Sequence, residues 1–231
     1  MAKSDLNSIY TIEKKENEFV LNSEDGLLRT PGGYVVSDKN KKLLQYINKD
    51  IAVNASLDAS ILGYYSVYST YKEFFRDNTD AISKEDFRQT IESDITINTV
   101  AGPECIDQLN CWEALTNQLE RAGLQHTIFG WTPRFEKIAD YFYQIYESLI
   151  PAQKTAVINS AQVHGSIIYG ILLATGNCNE KEYGIAIAAG NCIIPGVFGD
   201  VTKSGFNHFV SMISKEAKIL TTFVKLIKDH G

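Results

Sequence analysis

The hydrophobic pattern of this chain changes period once, near Ser37, and that change limits what it can fold into. Before it lie short apolar runs, Ile9-Tyr10-Thr11-Ile12, Phe19-Val20-Leu21, Leu27-Leu28-Arg29-Thr30 and Tyr34-Val35-Val36. Turn-forming segments separate them: Glu16-Asn17-Glu18, Glu24-Asp25-Gly26 and Pro31-Gly32-Gly33. Asp25-Gly26 supplies the positive φ of a tight hairpin, and Gly32-Gly33 after Pro31 does similar work. The spacing predicts a small antiparallel β-meander over residues 1–37.

From Ser37 onward apolar residues recur at helical spacing. Ser37 is placed to cap a helix with Leu43, Leu44, Ile47 and Ile51 on one face. Leu57 to Phe75 carries an aromatic stripe, and Ser83-Lys84-Glu85-Asp86 resembles a capping box ahead of Phe87 and Ile91. Two segments break the helical pattern. Residues 95–100 alternate and are β-branched, and 124–129 form a second strand candidate, so both are placed to rejoin the N-terminal sheet. Between them Pro103 opens a helix bearing Ile106, Leu109, Trp112, Leu115 and Leu119, which ends at Gly123. Further helices follow Thr132-Pro133 and Pro151, then at 165–174, 179–189 and 206–228. The reading is an α+β fold, a small sheet followed by a mainly α-helical orthogonal bundle over 38–231.

Composition removes several classes. With 231 residues and 44% hydrophobic content, the chain should bury about 70% of its unfolded surface without staples. A net charge of −6 argues against a phosphate-backbone binder, so no nucleic acid is expected. The longest nearly uncharged apolar run, Gly165 to Gly176, falls short of a membrane span of roughly 20 residues. Met1-Ala2-Lys3-Ser4-Asp5-Leu6 leads into polar sequence with neither a secretory nor a transit signature, and the expected location is the cytoplasm. Cys105, Cys111, Cys178 and Cys192 lack CxxC spacing and read as reduced core thiols.

Nothing in the sequence announces catalysis. There is no GxxxxGK[ST] and no GxGxxG after a strand, and Gly196-Val197-Phe198-Gly199 reads as an inter-helix loop. His126, His164, His208 and His230 are scattered without ligand spacing, so no metal and no cofactor are expected. Cys192 and His208 read as a structural thiol and a surface histidine before a nucleophile pair. Most carboxylates precede or begin helices, where they suit the dipole. One alternative is an enzyme with a scattered site, for example Asp94, Glu104 and His126 around a cleft, and another is a stable subunit of a larger complex. Tyr64, Tyr65, Tyr68 and Tyr71 cover more than one helical face. They read either as core packing or as anchors for a partner chain.

The order of motifs then becomes informative. Asp25-Gly26-Leu27-Leu28-Arg29-Thr30-Pro31-Gly32-Gly33 resembles the "DGrpLKTPaG" hairpin of the assembly chaperones that act on the α subunit of the F-type ATP synthase head. Lys42 to Val53 falls on that family's "LAeaIAaEW" helix, Leu57-Asp58 on "iDP", and Asp94 with Ile95-Thr96-Ile97 on "tDlLcYRA". Pro103-Glu104, Gln108 and Trp112-Glu113 resemble "PE…Q…WDPLL", and Gly130 through Pro133 sits at "GI…P". Gly165-Ser166 resembles "GS…LAL", and Phe198-Gly199-Asp200 falls near "WGeD". The departures are Asp50-Ile51 for "EW", Asn98-Thr99-Val100 for "YRA", and Gly190-Asn191 with Ile194 for the acidic "lDE…Q".

The resemblance implies a non-enzymatic binder that holds the unassembled α subunit until the β subunit replaces it. Asp25, Gly26, Thr30, Pro31, Gln108, Trp112, Gly165, Ser166 and Gly199 are its structural motif positions, while Asn191 and Asp200 join the four tyrosines as candidate partner contacts. It implies a bacterial cytoplasm before a mitochondrial matrix, no membrane insertion, and a monomer when free.

Overall fold

The computed structural model describes residues 10–54, 62–76, 82–97, 110–124, 133–192 and 203–228. Four strands make one antiparallel sheet: β1 (Thr11–Lys15), β2 (Glu18–Ser23), β3 (Gly26–Leu27) and β4 (Ser37–Asp38). β1 pairs along β2 with Ile12 opposite Leu21, and β3 continues the meander with Asn22 opposite Leu27. Gly26 takes φ +106°, a conformation L side chains rarely adopt, which is why Asp-Gly marks this turn. Residues 28–36 then project as a hairpin closed by Thr30 N to Tyr34 O at 2.8 Å. The chain returns to β2 through β4, where Val20 stands opposite Ser37.

The first helix, α1 (Lys41–Asn54), buries Leu43, Leu44, Ile47 and Ile51 as its spacing requires. Its cap differs from the expectation. Asn40 Oδ1 accepts from Lys42 N at 3.0 Å, while Ser37 belongs to β4 and its hydroxyl donates to Glu18 at 2.7 Å. α2 (Tyr64–Thr70) runs into one π-helical turn, Tyr71–Phe75. α3 (Lys84–Glu92) opens on Ser83, whose hydroxyl accepts from Asp86 N as the capping-box reading requires.

The strand expected at 95–100 is not formed where it is described: residues 95–97 are a turn. Asp94 accepts from both Thr96 N (2.9 Å) and Thr96 Oγ1 (2.7 Å), and Ile97 N returns to Asp94 O at 3.2 Å. These local bonds, with Ile95 N donating to Gly165 O at 3.2 Å, satisfy the backbone without a neighbouring strand. Residues 98–100 and 125–129 lie outside the described residues, and Leu124 instead donates back to Leu119 O to end a helix.

The remaining helices are α4 (Glu113–Arg121), α5 (Pro133–Ser148), α6 (Pro151–His164), α7 (Ile167–Thr175), α8 (Glu180–Cys192) and α9 (Lys203–Lys228). Ile167 through Leu173 are all buried, so α7 is the central rod around which its neighbours pack. One apolar core runs from Leu21, Leu28 and Val36 of the sheet region through Ile47 and Tyr68 to Ile171 and Phe223. No described helix is long and apolar enough to cross a membrane. Cys178 is buried and Cys111 half-buried, and burial pushes the Cys178 thiol well up.

Two local contacts give testable consequences. A Cβ on Gly184 would meet Ser214 Oγ and stand 2.8 Å from Val210 O, so α8 and α9 touch through the missing side chain. Gly184→Ala is expected to cost about 1–3 kcal/mol by forcing the helices apart, despite its better helix propensity. Denaturant unfolding checks this, and a stabilised variant would contradict the close contact. Asp140 on α5 pairs with Lys84 (2.8 Å) and Arg88 (2.9 Å) on α3. The hydrogen bond from Lys84, then that from Arg88, hold its carboxyl below the ordinary value. A lowered carboxylate contributes above its unfolded value and loses that contribution as pH falls through the folded value. The stability gap between wild type and Asp140→Asn should therefore be widest near neutrality and close in acid. A gap that widens in acid refutes the pairing.

Candidate functional site

The four tyrosines of α2 and its π-turn divide into a buried pair and a half-buried pair. Tyr68 is fully buried, its hydroxyl donating to Ser37 O at 2.6 Å and accepting from Ser37 N at 3.2 Å. Burial pushes its phenol far above the ordinary value, so it serves as a fixed donor. Tyr65 is buried with its hydroxyl on Arg29 O at 2.8 Å. Tyr64 and Tyr71 are half-buried. Tyr64 stacks on Tyr46 with centroids 4.7 Å apart, and Tyr71 meets Phe223 edge-on at 5.6 Å. Burial removes Tyr65 and Tyr68 from the candidate partner contacts, while Tyr64 and Tyr71 keep part of their surface open. The sheet region, α1 and α9 each engage one or more of them, so every one of the four has its ring or hydroxyl committed within the fold.

What α2 presents outward comes from the π-turn. Arg76 N reaches back five residues to Tyr71 O at 2.8 Å, which inserts one residue relative to an α-helix. That shift sends Phe75 into the core and leaves Phe74 at 55% exposure. Glu73, beside it, accepts from Gly32 N at 2.7 Å and so fastens the tip of the hairpin to the helix. Opposite stands α6, with Ile158 and Asn159 buried and Val163 at 43% exposure. The space between is a groove of about 630 Å³, with Phe74, Ile82 and Val163 among its apolar lining and Glu73, Asn159 and Gln162 among its polar lining. The aromatic stripe read from Leu57 to Phe75 thus divides at its end, Phe75 inward and Phe74 outward.

A second feature joins two distant motif positions. Asp94 is buried and its Oδ2 accepts from Ser166 Oγ (3.0 Å) and Ile168 N (2.9 Å), while Oδ1 takes both Thr96 donors. Gly165, at φ +71°, ends α6, and Ser166 caps α7 by accepting from Tyr169 N. The carboxylate thus sits at the N-terminus of α7, where orphan amides and the helix dipole favour it. Burial pushes the Asp94 carboxyl above its ordinary value, and the hydrogen bonds from Ile168, Thr96 and Ser166 pull against that rise. Both oxygens are engaged by the fold, which argues for a clasp and against the acid of a cleft.

Other polar groups are similarly occupied. Tyr183 OH contacts Ser160 Oγ at 2.6 Å and His164 Nδ1 at 2.8 Å, and His164 Nε2 meets Glu216 at 2.8 Å, which joins α6, α8 and α9. Asn191 is half-buried near the end of α8, with Nδ2 donating to Ile187 O. Trp112 is buried, its Nε1 donating to Ala186 O of α8 at 3.1 Å. Glu104, Gln108, His126, Gly199 and Asp200 lie outside the described residues. No group of three metal-ligating side chains occurs among the described residues.

No family model matches the chain, and no curated protein matches it by sequence. Solved structures do. Atp12 from Paracoccus denitrificans superposes with a TM-score of 0.59 at 16% identity, over 94% of this chain and 95% of that one. This chain has the Atp12 fold. A point mutant of P. denitrificans Atp12p agrees, with a TM-score of 0.60 at 15% identity over 93% of this chain and 95% of that one. So does Atu1473 from Agrobacterium tumefaciens, a candidate chaperone, at 0.64 and 14% over 95% and 84%. The Atp12 likeness is one of whole-chain fold at low identity.

Proposed function

We propose that this protein is a non-enzymatic assembly chaperone of the Atp12 type, which holds the unassembled α subunit of the F-type ATP synthase head. The observation that carries the reading is the coincidence of motif order and fold. Asp94 and Gly165-Ser166 match separate chaperone motifs, and the fold brings them together by a direct bond 72 residues apart in sequence. The whole-chain Atp12 likeness supports the same reading. An unassembled subunit exposes apolar surface that invites aggregation, and a temporary cover prevents it. Such a cover must yield to the next subunit, so an interface near the standard size of about 1,600 Å² with moderate affinity suits the task.

The test mixes the purified protein with separately expressed α and β subunits and follows complexes by size exclusion. Co-elution with isolated α, and with neither β nor the assembled head, is expected. Equal binding to both subunits, or to neither while both stay soluble, overturns the reading.

A further inference from the structure

We infer that the groove between the π-turn and α6 is where the client docks, and that it receives an apolar segment flanked by Lys or Arg. The inference rests on the chaperone reading and adds to it a surface and an occupant. Of the large hydrophobic side chains exposed among the described residues, Phe74 and Val163 both line this one groove. A partly exposed aromatic at a concave wall is the arrangement that anchors protein interfaces. The π-turn that holds Phe74 out is itself a device found frequently at functional positions.

Charge decides the chemistry of the occupant. Among the described residues, Glu73 is the only ionisable side chain lining the groove, in a chain of net charge −6. Gly32 N uses one lone pair of Glu73 Oε1, and a carboxylate offers about four acceptor positions. An incoming Lys or Arg gains that carboxylate, whereas an acidic residue would be desolvated beside a like charge. At about 630 Å³ the groove accommodates a few side chains, so it is an anchor point within a larger contact.

The experiment compares wild type, the pair Phe74→Ala with Val163→Ser, and a control pair Val53→Ser with Met212→Ser at exposed positions outside the groove. Affinity for the isolated α subunit should fall about tenfold or more for the groove pair and stay unchanged for the control. Melting temperatures should match, since Phe74 and Val163 are exposed. A photocrosslinking phenylalanine analogue at Phe74 supplies a second readout. It should capture a client peptide with Lys or Arg within about one helical turn of an apolar residue. If wild type does not bind α, the chaperone reading falls and this inference with it. If wild type binds and the groove pair binds equally, the groove alone is wrong. Capture of an acidic client segment, or of a second copy of this chain in place of the client, also overturns it.

Discussion

Asp94→Ala should lower the stability of this protein by about 3–5 kcal/mol, because it strands several buried donors at once. The carboxylate takes Thr96 N, Thr96 Oγ1, Ser166 Oγ and Ile168 N, and solvent has no access to this buried site to replace it. The two hydroxyls can turn to other acceptors, but the two backbone amides cannot. Asp94→Asn is the informative companion. Whichever way its amide is turned, the nitrogen faces a backbone N–H, Thr96 on one side or Ile168 on the other, so a loss of about 1–3 kcal/mol remains. Urea unfolding of both variants checks the order. A loss below about 1 kcal/mol for Asp94→Ala would mean that the clasp opens outside the cooperative unit.

Trp112→Ala should cost about 3–5 kcal/mol through the cavity left by a fully buried indole. The buried ring stands at the start of α4, where its Nε1–H donates to Ala186 O of α8, and Leu115 and Leu119 are buried further along α4. Trp112→Phe keeps most of the volume and loses the bond, so it should cost appreciably less than the alanine variant. Chemical denaturation measures the loss of stability, and client binding per folded molecule should persist. Lost binding at an unchanged melting temperature would show that Trp112 contacts the partner.

Much of the architecture was legible before any coordinates. The Asp25-Gly26 turn, the Ser83 cap and the helix end at Gly123 all rest on interactions among residues a few positions apart, and the apolar spacing of α1 follows from its period alone. Motif order was legible too, and it pointed to the proteins whose fold this chain shares. The failures have a common cause. Residues 95–97 alternate like a strand, yet Asp94 takes the donors of Thr96 and Ile97, Gly165 O takes that of Ile95, and the segment makes a turn. Ser37 looks like a cap, yet pairing with Val20 draws it into β4 and leaves the cap to Asn40.

The sequence by itself determined the switch from sheet to helices, the turns and most caps, because each depends on backbone groups bonded to near neighbours. Only the tertiary structure decided which faces stayed open. The four tyrosines read equally well as core or interface until the hairpin region, α1 and α9 were seen to engage them. Phe74 belongs to an aromatic stripe whose two last members, Phe74 and Phe75, the π-turn separates, turning Phe74 outward to share a groove with Val163, 89 positions later in the chain. A residue's periodicity says that it is apolar and on a given helical face. What that face meets depends on elements far away in sequence, and the burial it gains there is settled only when they pack.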